Sequence, residues 1–265
     1  MVLQSIKKFV ASNSSSNLPK EYSRIIKQLN LNPDDNKSEI DKIWFAYQFA
    51  SEAHKEQKRK SGEPYITHCA AVALILAEWN MDLDTVISGL LHDTIEDTHF
   101  TKNDIEKEFN SVVSELVEGV SKLSGMHFES RLEKQAENFM KMFLSVAKDI
   151  RVIIIKFADR LHNMRTLNHL SKIKQRRIAI ETKDVYAPLA HRLGMNSLKV
   201  ELENHVLKII DRSMYNEIEK KLKSSKKERE RYIDKFIKPI SIEVNKINSD
   251  LKVFGRAKHH FSIYG

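Results

Sequence analysis

Leu90-Leu91-His92-Asp93-Thr94-Ile95-Glu96-Asp97 is the stretch on which the reading of this chain turns. Around it Val86, Ile87, Leu90, Leu91 and Ile95 recur at helical spacing, so one side of a helix faces a core. The other side collects four chemical groups. His92 and Glu96 are four residues apart, as are Asp93 and Asp97, and each pair falls on one helical face. An imidazole beside a carboxylate suits a hard or borderline cation. An acidic pair one turn later can handle protons. A capped surface helix with a chance His-Asp pair would read the same locally, and the rest of the chain has to separate the two.

With 265 residues the chain can bury one large core or two small ones. Hydrophobic residues make up 41% and charged residues 30%, a balance that reads as soluble and globular. No apolar run approaches membrane-spanning length, and no membrane partner is expected. Met1 to Ala11 is too short in its apolar part for a signal peptide, and residues 1–19 read as a loosely docked tail. The single cysteine, Cys69, excludes an internal disulfide and a multi-Cys zinc site, and fits a reducing, cytoplasmic setting. Seven glycines, with neither a P-loop nor a G-x-G-x-x-G motif, argue against nucleotide folds built on glycine loops. The net charge of +8 would steer an anionic ligand, although a solvated basic surface gives the same value and the stretch near 220–230 carries much of it. No specific nucleic acid is expected as a partner, and the composition is silent on oligomeric state.

Taken in order, the chain is a succession of helices. Tyr22, Ile25, Ile26 and Leu29 mark the first, and Ser38 is placed as the N-cap of one burying Ile40, Ile43, Trp44 and Tyr47. Gln57 to Pro64 is a loop carrying Lys58, Arg59 and Lys60. Tyr65 to Trp79 is helical, with His68 in its first turn. Asp82 or Asp84 caps the central helix, Thr101 with Asp104 opens another, and Ser111 opens one that buries Val113, Leu116, Val117 and Val120. Ser121 to Ser130 reads as a connection and Leu132 to Ala147 as a helix. Val152-Ile153-Ile154-Ile155 alone would suit a buried strand. Ile150, Ile154, Phe157, Leu161 and Met164 continue past it at helical spacing, so the run is assigned to helix. On it Asp159, Asn163 and Thr166 share one polar face, which needs either solvent or partners.

Lys172 to Arg192 reads as a long helix kinked at Pro188 and stopped by Gly194, with Asn196 capping the next. A charged helix from Ser213 is expected to break at Pro239, leaving a short helix of Ile240, Val244, Ile247 and Leu251. Only Lys252-Val253-Phe254 reads as a strand. The expected fold class is all-α, with this one strand near the end.

His68, the His92-Asp93 pair and Asp159 come from three separate helices. All-helical folds build metal sites from inward side chains in this manner. Two imidazoles and two carboxylates suit manganese, iron, cobalt or zinc.

The order His68, His92-Asp93, Asp159 resembles the H…HD…D signature of the HD phosphohydrolase superfamily. Longer motifs resemble the RelA/SpoT family within it: Gln57-Lys58-Arg59-Lys60-Ser61-Gly62-Glu63-Pro64-Tyr65, the stretch from Leu90 to Thr98, Ala158-Asp159-Arg160-Leu161-His162-Asn163-Met164-Arg165-Thr166-Leu167, and Tyr186-Ala187-Pro188-Leu189-Ala190-His191-Arg192-Leu193-Gly194. The resemblance runs collinearly over roughly residues 20 to 265. It departs at Cys69, where the family usually has Pro, and again at Ala257.

The resemblance implies an all-α HD hydrolase domain over 20–195, then a helical connector and the start of a synthetase-like region over 196–265. It implies manganese held by His68, His92, Asp93 and Asp159, and a catalytic acidic pair in Glu96 and Asp97. Arg59, Lys60, Ser61, Asn163 and Thr166 match positions lining the pocket for guanosine tetra- and pentaphosphate. The implied reaction removes pyrophosphate from the 3′ position and returns GDP or GTP. Gly255 to Tyr264 resembles the opening of the family's synthetase domain, and no alarmone synthesis is expected of this chain. Two other readings stay open: an HD phosphatase for another phosphorylated nucleotide, and a non-catalytic alarmone-binding remnant.

Overall fold

Helix follows helix because apolar residues recur with helical period along the chain. In the computed structural model, residues 18–124, 149–224, 226–248, 250–255 and 258–264 are described. The tail expected over 1–19 lies outside them up to residue 17, as do the helix expected from Leu132 to Ala147 and most of the connection before it. The helices are α1 (Lys20–Gln28), α2 (Lys37–Ala53), α3 (Ile66–Glu78), α4 (Leu83–Leu91), the single turn α5 (Thr94–Asp97), α6 (Lys102–Glu108), α7 (Ser111–Ser124) and α8 (Arg151–Arg165). They continue as α9 (Lys172–Glu181), α10 (Ala187–Arg192), α11 (Asn196–Ile210), α12 (Arg212–Ser224), α13 (Lys226–Ile247) and α14 (His260–Tyr264). Two compact units divide the chain, Met1–His169 and Leu170–Gly265. The boundary drawn from sequence at 195/196 falls inside the second unit.

Within the first unit α3 is the hub. Ile66, Cys69, Ala70, Val72, Ala73, Ile75, Leu76 and Ala77 are buried around its whole circumference. A helix apolar on every side belongs in the middle of a core, and α3 packs against α1, α2, α4 and α8. Its crossing with α4 is tight at Gly89. A Cβ there would press on Leu76 Cδ1 and stand 3.3 Å from Ala73 Cα. The missing side chain thus lets α4 approach α3 closely. Asp82 caps α4, accepting from the Thr85 amide at 3.0 Å and the Thr85 hydroxyl at 2.7 Å. Thr101 and Asp104 form a reciprocal capping box at α6.

Several local expectations change. The helix through residues 90–97 is not continuous. α4 stops at Leu91, His92 and Asp93 form a turn, and α5 starts anew at Thr94. The Gly89 carbonyl receives the His92 ring nitrogen at 2.9 Å, a side-chain bond that competes with the backbone ladder at this point. As a result His92 and Asp93 are buried whereas Glu96 and Asp97 are exposed. Asn36, not Ser38, takes the N-cap position of α2, and α7 runs on to Ser124. Residues 151–165 form a helix, as expected, but Ile150 lies just before it and is exposed. Val152, Ile153, Ile155, Phe157, Leu161 and Met164 supply the buried side.

In the second unit Pro188 follows a π-helical turn, Thr182–Tyr186, closed by the Ala187 amide on the Thr182 carbonyl. Proline cannot donate to the carbonyl four residues back, and the widened turn accommodates that loss. Gly194, at φ 75°, ends α10. Asn196 is the first residue of α11 rather than its cap, which is Met195. Pro239 does not break the chain of turns. It sits inside α13, where both it and Lys235, whose carbonyl loses a donor, are exposed to water. The strand expected at Lys252–Phe254 does not form. Among the described residues the only β pairing is an isolated bridge between Lys58 and Pro64. A strand is held by a neighbour's ladder, and among the described residues the segment 252–254 pairs with none.

Candidate metal centre

Three helices of the first unit bring the predicted donors together. α3 carries His68 in its first turn, the turn after α4 carries His92 and Asp93, and α8 carries Asp159. Donor atoms of His68, His92 and Asp159 all lie within 4.8 Å of one another. His92 Nε2 is 2.9 Å from Asp93 Oδ2 and 4.0 Å from Asp159 Oδ1. His68 Nε2 is 3.6 Å and 3.4 Å from the same two oxygens. All four residues are buried, His92 completely.

A cation is the natural occupant of this geometry, and the hydrogen bonds show why. His92 Nδ1 is committed to the Gly89 carbonyl and carries a ring proton, so Nε2 is the nitrogen that can offer a lone pair to a cation. That Nε2 is fully buried and makes no hydrogen bond, although it faces a carboxylate oxygen. A lone pair aimed at carboxylates in a dry site calls for positive charge between them. The field acts on the protons as well. Burial works against the charges, yet His92 and His68 hold the Asp93 carboxyl well below the usual range. Burial likewise opposes ionisation of Asp159, which Lys156, His68 and His92 overcome. His92 is raised: desolvation lowers it, but Asp93 and then Asp159 outweigh that. Donor set and field therefore fit a divalent metal.

Every donor has an outer partner, and sequence reasoning assigns no role to most of them. Asp159 Oδ2 accepts from Lys156 Nζ at 2.7 Å and Oδ1 from Asn163 Nδ2 at 2.5 Å. Asp93 Oδ2 accepts from the Tyr65 hydroxyl at 2.7 Å. His68 Nδ1 lies 2.7 Å from His162 Nδ1. Burial first, then His68 and Arg59, lower the His162 pKa to about 3, so its ring is neutral. Tyr65 precedes His68 by three residues, and Lys156 and His162 flank Asp159 by three on each side. That helical spacing is a usable signal. Cys69 is completely buried, and desolvation pushes its thiol upward. It packs as an apolar residue.

The acidic pair sits at the edge of this centre. Although both side chains reach solvent, partial desolvation beside the centre, followed by the Asp93 charge, raises Asp97; partial desolvation likewise heads the causes that raise Glu96. The Tyr65 hydroxyl is 3.4 Å from Asp97 Oδ2. Gln57 Nε2 donates to the Asp97 carbonyl at 2.6 Å, and Gln57 Oε1 meets His54 Nδ1 at 2.9 Å. The His54 ring stacks on Tyr65 with centroids 4.8 Å apart.

The basic loop closes on the polar face of α8. Arg59 Nη2 donates to Asn163 Oδ1 at 2.9 Å and reaches Thr166 Oγ1 at 3.4 Å. The Arg59 amide donates to the Glu63 carbonyl and Gly62 turns at φ 91°, which fixes a tight loop. Lys60 and Ser61 lie exposed on its outer side, and the Ser61 hydroxyl donates to Glu63. Arg59, Asn163 and Thr166 therefore meet directly, while Lys60 and Ser61 stand apart from them.

Among curated proteins, the chain is 47% identical over 232 residues to the bifunctional (p)ppGpp synthase/hydrolase SpoT of Escherichia coli (strain K12), covering 88% of this chain and 33% of that protein. It is 44% identical over 255 residues to a GTP pyrophosphokinase of Myxococcus xanthus, covering 95% of this chain and 33% of the relative. The chain thus spans about a third of the length of the curated relatives it matches. A solved structure of a metazoan ortholog of SpoT, described as hydrolysing ppGpp and playing a role in starvation responses, is 23% identical, with a TM-score of 0.48, over 73% of this chain and 97% of that one. A family model, described as HD domain, matches residues 46–196. This match spans more than half of the sequence and encloses His68, His92, Asp93 and Asp159, and the chain belongs to the HD domain family.

Proposed function

We propose that this chain is a manganese-dependent hydrolase that removes pyrophosphate from the 3′ position of guanosine tetra- and pentaphosphate, returning GDP and GTP. The observation that carries the reading is the convergence of His68, His92, Asp93 and Asp159 beside two acids of raised pKa and the Arg59 guanidinium. The 47% identity to a protein named for (p)ppGpp synthesis and hydrolysis supports the choice of substrate.

His68, His92, Asp93 and Asp159 would hold the metal, which when bound supplies Lewis acidity toward a phosphate oxygen and acidifies a water. The side chains do the rest. Glu96 and Asp97 divide the proton work: one accepts a proton from the attacking water, and the other delivers one to the ribose 3′ oxygen as its bond to phosphorus breaks. Desolvation raises both carboxyls above their ordinary values, which favours the proton-delivering role. Arg59, positioned by Asn163 and Thr166, balances the charge of a phosphate-rich substrate, with Lys60 and Ser61 on the loop rim. In this reading residues 20–195 form the hydrolase region, 196–265 are its connector, and the enzyme works in the cytoplasm. Among the described residues no helix is long and apolar enough to cross a membrane.

The test is to incubate the purified protein with guanosine tetraphosphate and Mn2+, alongside a panel of 2′- and 3′-phosphorylated nucleotides. Pyrophosphate and GDP are expected, with turnover stopped by chelator. Faster turnover of another nucleotide, or none of any, would overturn the reading.

A further inference from the structure

The His68–His162 contact joins two nitrogens of the same kind, Nδ1 to Nδ1 at 2.7 Å, with ring centroids 4.9 Å apart. Two such atoms share one proton, so one ring donates and the other accepts. The far side of His68 decides which. His68 Nε2 faces Asp93 Oδ2 and Asp159 Oδ1, the oxygens that converge on the centre. To offer a lone pair there, His68 must carry its proton on Nδ1, and His162 must then present an unprotonated Nδ1. The outer partner of a ligating imidazole is commonly a carboxylate, a backbone carbonyl or a water. His92 follows that pattern through Gly89, whereas His68 has another imidazole.

We propose that His162 is a positioning residue for the metal centre, accepting a hydrogen bond from His68 Nδ1 and thereby fixing the tautomer and ring plane that aim His68 Nε2 at the cation. One helix, α8, thus supplies both a donor, Asp159, and the residue that orients a donor on α3. The inference rests on the reading of His68 as a ligand and is independent of which nucleotide is hydrolysed.

Two measurements on metal alone test it. In the first, Mn2+ binding is followed through the paramagnetic resonance signal of the free ion. His162→Leu is expected to weaken binding by about 10- to 100-fold, the usual cost of losing an outer partner. His162→Asn, whose side-chain oxygen can occupy the place of Nδ1, is expected to restore most of it. Equal losses in both variants, or wild-type affinity in His162→Leu, would overturn the proposal. The second needs no substitution. Long-range 1H–15N spectra of the wild-type protein loaded with diamagnetic Zn2+ should show His68 protonated at Nδ1 and His162 at Nε2. A proton on His162 Nδ1 would overturn the proposal. Failure of guanosine tetraphosphate hydrolysis with these results intact would refute the proposed activity and leave the role of His162 standing.

Discussion

Tyr65 donates its hydroxyl to Asp93 Oδ2 at 2.7 Å, tying the residue that opens α3 to the residue in the break between α4 and α5. The bond holds the Asp93 carboxylate in place while its charge faces His92. A hydrogen bond to a charged group contributes about 1.5–3 kcal/mol. Tyr65→Phe keeps the ring that stacks on His54 and removes only the donor. Metal affinity of the folded protein is expected to fall by about 10- to 100-fold, and the metal-free protein to lose about 1.5–3 kcal/mol of stability. Calorimetric titration with Mn2+ checks this, and unaltered affinity would show that the bond does not support a ligand.

In the proposed function Glu96 takes part in proton transfer and not in metal binding. Glu96→Gln keeps the shape and removes the ionisable group. Bound metal should be retained while kcat falls by roughly 100- to 10,000-fold, the usual size of a general acid–base contribution. Burial raises both Glu96 and Asp97 above their ordinary values of 4.5 and 3.8, so each keeps its proton to a higher pH than a free acid would. A step needing an ionised base therefore speeds up as pH climbs through the raised value. The acidic limb of the kcat profile should lie above the ordinary carboxylate range and change shape in Glu96→Gln. Parallel loss of metal and activity would make Glu96 a ligand instead.

Much of this arrangement is legible in the sequence, for physical reasons. His68 stands on an apolar helix, His92 and Asp93 directly follow one, and Asp159 lies on the polar face of α8; such residues need partners when buried. The capping box at Thr101 and the stop at Gly194 are set by local chemistry that the sequence states directly. The break at His92–Asp93 is hidden because the apolar period continues through it, while a side-chain bond to the Gly89 carbonyl interrupts the ladder. The spacing of His162 from Asp159 is a signal in the sequence, but its contact with His68, 94 positions away, is not. The strand at Lys252–Phe254 fails for the opposite reason. Its residues favour extended backbone, but pairing is a property of a neighbour and not of the segment.

Arg59 and Lys60 are adjacent in sequence but unequal in structure. The Arg59 guanidinium is held by Asn163 and Thr166 at 2.9 and 3.4 Å, whereas Lys60 is exposed. A preorganised charge loses less freedom on binding than a free one. Arg59→Ala is therefore expected to raise KM by more than Lys60→Ala does, with the smaller effect on kcat, as for loss of ground-state binding. Activity in the double variant should depend less on ionic strength, because a screened attraction is gone. Steady-state kinetics at two salt concentrations decide it. Equal effects of the two substitutions would mean that the contact with α8 confers no advantage.

Asp82 caps α4 at the end opposite the centre. Its carboxylate accepts from the Thr85 amide and hydroxyl at 3.0 and 2.7 Å, and Arg151 Nη1 approaches Oδ1 at 3.3 Å. Partial burial opposes the charge, but the bonds from Thr85 and the Arg151 guanidinium together bring its pKa below the ordinary 3.8. A carboxyl whose folded pKa is depressed stabilises the fold above its unfolded pKa, and that contribution is lost as pH falls through the folded value. The side chain is 49% exposed, so solvent screens the link to Arg151 and the cap is the larger part. Asp82→Ala should cost about 0.5–2 kcal/mol at neutral pH, the range for removing an N-cap. Urea midpoints of the two proteins should converge as the pH is lowered through the acid range. Because the cap lies at the far end of the helix from His92, Mn2+ affinity of the folded variant should stay close to that of the wild type. A loss of affinity larger than the loss of stability would show that the start of α4, and not only its end, sets the position of the centre.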